Sequence, residues 1–164
     1  YVNDNNIKSH FSDRIYLTRQ GRGIRTIENE QEVIELLKGY NFSIVNFEEL
    51  SFWEQVATMH NATAFISIHG AGFANIIFMN EGSFVLELIN KAYAEKEYKF
   101  PFYHLASSLN LKYQAQFGVV SNNNTQELFD YSNDYKANES NFLVNQNIAI
   151  DIELLKIKLA DLGS

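Results

Sequence analysis

The chain contains no cysteine. That excludes a disulfide framework, a thiol nucleophile and any cysteine-based zinc site, and it favours a reducing compartment. Basic residues are scarce too: 13 Lys and Arg stand against 20 Asp and Glu, a formal net charge of -7. A broad nucleic-acid or anionic-membrane surface is disfavoured, because a phosphate backbone would be repelled everywhere except at a local basic spot. No apolar run approaches the roughly 20 residues needed to span a bilayer. The opening YVNDNNIKSHFSDR also lacks the apolar centre of a secretory signal. A start at Tyr1 rather than Met reads as a processed or excised piece of something longer.

What is present suffices for one ordinary core: 164 residues, 46% hydrophobic and 14% aromatic. The expectation is a single domain over residues 1–164, with its core at 12–120, a polar Asn/Ser/Asp-rich loop at 121–147 and a C-terminal helix at 148–164. An apolar run at 15–17 leads into the Gly- and Arg-rich QGRGIR and then NEQEVIELLKG. Asn29 is placed to cap that helix, Val33, Ile34, Leu36 and Leu37 form its buried face, and Gly39 stops it. FSIVNF is a second strand, followed by a helix with Phe52, Trp53, Val56 and Ala57 on one stripe. Further strands are expected at 64–68, 83–89 and 111–120, with helices near 72–78 and 98–109. This βα alternation predicts an α/β fold: a Rossmann-like three-layer α/β/α parallel sheet.

Residues 64–88, AFISIHGAGFANIIFMNEGSFVLEL, are the most informative stretch: strand, tight turn, helix, strand. In such sheets ligands bind beyond the carboxyl ends of the strands, where the next helix opens with outward N–H groups. Gly70 and Gly72 would let a backbone approach a phosphate, with His69 and Asn75 on either side. The alternative is a glycine turn that packs helix closely on sheet. By the same rule the arginine loop after strand one, the Glu48–Ser51 loop after strand two and the His69 loop after strand three should converge on one crevice.

Arg19, Arg22 and Arg25 recur every third residue around Gly21 and Gly23. Guanidinium forks on a glycine-relaxed loop suit a diphosphate, although pairing with Glu28, Glu30 and Glu32 would serve as well. Glu54 stands three residues after Ser51, the spacing of a capping box. Glu48 and Glu49 could face a ligand's sugar hydroxyls or form a charged loop tip. Glu87, inside an apolar strand, requires a partner: an ion pair or a ligand. His10, His60 and His104 have no metal-ligand spacing, so no metal site is expected. His69 differs through its place in the turn, where an imidazole can donate to phosphate, move a proton or bond across the turn. The Gly70, Gly72, Asn75 spacing departs from the dinucleotide fingerprint, since Asn replaces the third glycine and the turn follows the third strand.

Taken together, IYLTRQ with Arg25, NEQEV, FEELSFWEQV, the strand from Ala64, HGAGFANIIF and GSFVLEL resemble the family-61 glycosyltransferases over residues 12–88. LASSLNLKY and AIDIELLKIKLADL are weaker echoes. The resemblance implies a GT-B-type, inverting, nucleotide-sugar-dependent enzyme of which this chain matches the C-terminal, donor-binding half. It implies that Arg19, Arg22 and Arg25 and the turn His69, Gly70, Ala71 and Gly72 with Asn75 hold the diphosphate. Residues 47–51, Glu49 among them, would lie near base and ribose, Glu87 would support the floor, Gln55 would serve as support and His69 is the candidate catalytic group. A UDP-sugar is the implied donor, with no cofactor and no metal. A carbohydrate or glycan acceptor would be met by a missing N-terminal domain, and the isolated piece is expected to be inactive. The absence of cysteine favours a bacterial, cytoplasmic role in surface or capsular polysaccharide synthesis over a eukaryotic secretory-lumen one. The sequons at Asn41, Asn61, Asn123 and Asn138 are what an Asn-rich chain produces by chance. The alternatives are a non-catalytic Rossmann-like binding or assembly domain and an NAD-dependent oxidoreductase domain.

Overall fold

The computed structural model describes residues 9–19, 25–91, 100–120, 146–160 and 162. Among them five strands form one parallel sheet: β1 (Arg14–Leu17), β2 (Ser43–Val45), β3 (Ala64–Ile68), β4 (Phe84–Asn90) and β5 (Lys112–Gly118), in the order β2-β1-β3-β4-β5. Every residue of β3 and β4 is buried, which explains why these strands are apolar but for Ser67, Glu87 and Asn90. The edge strand β5 is buried only in part.

Alternation along the strands sends side chains to two cores. Tyr16, Ile66, Leu86 and Leu88 face α1 (Glu30–Gly39) and the C-terminal helix, α4 (Ile152–Ala160). Ile15, Leu17, Phe65 and Val85 face α2 (Phe52–Asn61), the 3-10 helix Ala71–Phe78 and α3 (Pro101–Ser108). The result is the expected three-layer α/β/α arrangement. Among the described residues no helix is long and apolar enough to cross a membrane.

Several local expectations are met, and others differ for identifiable reasons. Ser51 and Glu54 do close a capping box on α2, and Pro101 opens α3 at its first turn. Val56 and Ala57 are buried as expected, but Phe52 and Trp53 are exposed; they meet edge to face, with Phe52 also against Phe78. The segment expected as a helix near 72–78 is a 3-10 helix. Its buried residues Phe73 and Ile76 stand three apart, the period of that helix, and Met79, the extended residue that follows its last turn, is buried too. Helix α1 ends at Gly39, but the left-handed residue that turns the chain out is Asn41, at φ 63°.

Asn29 precedes α1 without capping it. Its amide instead donates to the Ile150 carbonyl at 2.9 Å and accepts from the Ile150 N–H at 2.9 Å. This captures the returning chain, so residues 148–151 are not the start of a helix. Ile148 bridges Ile27, Ala149 bridges Val119, and α4 begins only at Ile152. Most of the expected polar loop, residues 121–145, lies outside the described residues.

Candidate functional site

In this sheet the strand order reverses between β1 and β3. Connections from these two strands leave toward opposite faces and open a crevice between them, the usual ligand site of a doubly wound sheet. A cavity of about 120 Å³ lies there, lined by Leu17, Thr18 and Arg19 after β1, Asn46, Phe47 and Glu48 after β2, and Ser67, Ile68, Ala71 and Gly72 around the end of β3. The three segments expected to converge thus line one cavity. Its volume is below the roughly 300 Å³ at which drug-sized pockets begin.

The two glycines of the turn act differently. A Cβ at position 70 would lie 2.6 Å from Arg19 Nη1, so the bare backbone there is what lets the Arg19 guanidinium settle over the turn, and Arg25 Nη1 stands at ordinary contact distance, 3.6 Å, beside it. A Cβ at position 72 would meet Leu17 Cδ2 at 2.6 Å, so this glycine lets the turn pack on the end of β1. Of the two readings the sequence left open, close packing of the turn on the sheet holds at Gly72, while Gly70 makes room for an arginine side chain. Arg25 adopts φ 52°, uncommon for a long side chain, and its Nε is buried with no hydrogen-bond partner among the described residues. Ala71 and Gly72, at the start of the 3-10 helix, sit where N–H groups have no acceptor within the helix itself. Cations and backbone dipoles thus gather at one lip of a chain whose net charge is -7. Arg22 lies outside the described residues.

Glu48, rather than Glu49, lines the cavity. Glu49 is exposed and accepts from Asn46 Nδ2 at 3.3 Å, while Asn46 Oδ1 accepts from the Glu48 N–H at 3.1 Å, holding the short 3-10 turn Phe47–Glu49 against the opening. Gln55 supports the same loop by donating to the carbonyls of Phe47 and Leu50 at 2.9 and 3.1 Å. Asn75 donates to the Gly72 carbonyl at 3.1 Å, which braces the turn from within.

Neither His69 nor Glu87 lines the cavity. Glu87 is fully buried in β4; its Oε1 is hydrogen-bonded to His69 Nδ1, and its Oε2 accepts from the Tyr113 hydroxyl of β5. The His69 ring packs 5.4 Å from that of Phe102. Glu87 thereby has the partners its burial demands, and the bond at Nδ1 fixes the imidazole's orientation through three neighbouring strands.

Two groups of the cavity wall, Thr18 and Ser67, escaped the sequence reading, as did Tyr113. Thr18 donates to Glu30 Oε1 at 2.7 Å, where the Tyr16 hydroxyl also donates at 2.8 Å; Ser67 donates to the Leu17 carbonyl at 3.1 Å. Burial and the adjacent Glu30 push the Tyr16 hydroxyl well above its ordinary range, so it stays a donor. The signal available for Thr18 was its position directly after a strand, beside Arg19.

Comparison with known proteins supplies the remaining observation. The sequence model of the family described as Glycosyltransferase 61 matches residues 1–86. Among curated proteins, the chain is similar to EGF domain-specific O-linked N-acetylglucosamine transferases. Identity is 32% over 82 residues for the Gallus gallus protein (47% of this chain, 15% of that protein) and 32% over 82 residues for the Bos taurus one (47% and 16%). For the Drosophila melanogaster protein it is 32% over 78 residues (46% and 15%). The matched stretch thus spans about 15% of the length of these relatives.

Proposed function

Because the chain belongs to the glycosyltransferase 61 family, we propose that the β1/β3 crevice is the donor-binding site of an inverting glycosyltransferase that uses a nucleotide sugar, a UDP-sugar by class. The observation that carries this reading is the pairing of Arg19 and Arg25 over Gly70, beside the start of the 3-10 helix. In glycosyl transfer an acceptor oxygen forms a bond to the anomeric carbon, the bond from that carbon to the diphosphate breaks, and negative charge collects on the departing diphosphate. Fixed guanidinium groups and oriented N–H groups stabilise that charge more than they stabilise the bound donor, which is what lowers the barrier. Such a clamp does not depend on a divalent cation. His69, oriented by Glu87, is the candidate for moving a proton or bonding a phosphate oxygen. Glu87 and Asn75 act as supports of the turn.

The relatives carry N-acetylglucosamine in their names, which makes UDP-N-acetylglucosamine the first donor to test; the same names specify EGF domains and O-linkage, which makes a protein hydroxyl the acceptor to test beside a glycan. The relatives reported above are animal proteins, which favours the secretory-lumen setting over bacterial capsular-polysaccharide synthesis in the cytoplasm.

Thermal melts with UDP, UDP-N-acetylglucosamine and NAD, each with and without EDTA, test the reading. A ligand at 100 times its Kd stabilises the folded state by about 2.7 kcal/mol. Stabilisation by the uridine nucleotides that survives EDTA is expected. Stabilisation by NAD alone would favour the oxidoreductase alternative, and by none of them the non-catalytic one.

A further inference from the structure

We propose that Asn147 is a positioning residue of the donor site: its side chain fixes the peptide unit that follows Arg25 and so holds the Arg25 guanidinium beside the glycine turn. The inference rests on the nucleotide-sugar reading above and extends the site to a segment 121 residues beyond Thr26.

Arg25 needs such a support. Its backbone is left-handed at φ 52°, a conformation that a long L side chain rarely adopts unless its neighbours impose it. Its Nε is buried with no hydrogen-bond partner among the described residues, so no bond at that atom fixes the side chain. The restraint comes from the backbone on its carboxyl side. The Thr26 N–H lies in the same peptide plane as the Arg25 carbonyl, so its direction sets the Arg25 ψ angle; it donates to Asn147 Oδ1 at 3.0 Å. The Thr26 carbonyl then accepts from the Ile148 N–H at 3.0 Å, and the Glu28 N–H donates to the Ile148 carbonyl at 2.9 Å. Those two bonds join main chains and survive any replacement at position 147. The bond to the Thr26 N–H alone depends on the asparagine side chain.

Asn147 serves as a fixed point because the segment that follows it is anchored at successive residues. Ile148 is fully buried in the core. Ala149 and Val119 exchange two backbone bonds, at 2.8 and 3.1 Å, and both backbone groups of Ile150 are held by Asn29. A Cβ on Gly118 would stand 2.8 Å from Ile148 Cδ1 and 2.9 Å from the Ala149 carbonyl oxygen, so the segment lies directly against the end of β5. It thereby ties the β5 edge of the sheet to the residues just after Arg25. This support comes from outside residues 1–86, the stretch matched by the family model.

The test is a double-mutant cycle read by calorimetric titration with UDP and inorganic pyrophosphate. It compares the wild type, Asn147→Ala, Arg25→Ala, Arg19→Ala, and Asn147→Ala combined with each arginine variant. Asn147→Ala should lower affinity for both ligands about three- to tenfold. With Arg25 already replaced, the same substitution should change affinity by less than about twofold, whereas with Arg19 replaced it should act in full. A general loosening of the fold would instead lower affinity in every background alike. Wild-type affinity in Asn147→Ala, an equal loss in the Arg25→Ala background, or disappearance of the effect in the Arg19→Ala background overturns the positioning of Arg25 and leaves the donor site standing. A wild type that binds neither UDP nor pyrophosphate overturns the donor site and this inference with it. Should Asn147→Ala fail to fold, Asn147→Leu, which keeps the bulk of the side chain and removes its amide, enters the same cycle.

Discussion

Adding one methyl group to each glycine of the turn at positions 70 and 72 should separate recognition from folding. At position 70 the new Cβ would stand 2.6 Å from Arg19 Nη1, well inside contact distance, but the atom it meets is the far end of a flexible side chain. The backbone at Gly70 is extended, with φ 160°, so alanine adds no strain there. Replacing glycine at a compatible position contributes about 0.4–1 kcal/mol by restricting the unfolded chain, which offsets the cost of moving Arg19. Gly70→Ala should therefore melt within about 2 °C of wild type. A displaced guanidinium, however, loses its bonds to the diphosphate, each worth about 1.5–3 kcal/mol, and UDP affinity should fall about 10- to 150-fold. At position 72 the obstacle is Leu17, packed in the core between β1 and the 3-10 helix. Overpacking of this kind costs about 1–3 kcal/mol, so Gly72→Ala should lower the Tm by about 2–12 °C. Thermal melts and UDP titration on the two variants decide the matter. If Gly70→Ala binds UDP as wild type does, the arginines over the turn are not the diphosphate clamp. If Gly72→Ala leaves the Tm unchanged, its contact with Leu17 is not a packing constraint.

Arg19→Ala and Arg25→Ala should each weaken UDP binding by about 1.5–3 kcal/mol with little change in Tm, and equal affinities by calorimetry would reassign both to surface ion pairing. Asn29→Ala should lose about 1–2 kcal/mol by chemical denaturation and expose the Ile150 amide to hydrogen exchange, since both backbone groups of Ile150 depend on that side chain. Ser51→Ala should lower the Tm by removing the α2 cap. The hydrogen bonds from Ser51 hold the Glu54 carboxyl below its ordinary range, so their contribution is complete above the usual carboxylate range and is lost as pH falls through the depressed value. The Tm gap between wild type and Ser51→Ala should narrow on acidification, and a gap constant from pH 7 to pH 3 would contradict the capping box.

The repeating βα order, the capping box at Ser51 and Glu54 and the burial of Glu87 could all be read from local pattern, because each depends on residues within one or two turns of chain. Side-chain period is a local property: buried β3 and β4 announced themselves as apolar runs. The family likeness, too, came from contiguous blocks. Strand order carries no such mark. Only the packing of the two helix layers puts β1 between β2 and β3, and that adjacency alone sets Thr18 and Ser67 in one wall. It also puts β5 beside β4, so that Tyr113 reaches Glu87. The choice of Glu48 over Glu49 turned on the 3-10 geometry of a three-residue turn, in which adjacent side chains diverge by about 120°. Asn29 looked like a cap because the capping signal is local, whereas its partner, Ile150, arrives from 121 residues away. Spacing along the chain could nominate the polar residues of the turn, but which of them meet, and which way their protons point, depends on contacts that form only when distant segments pack.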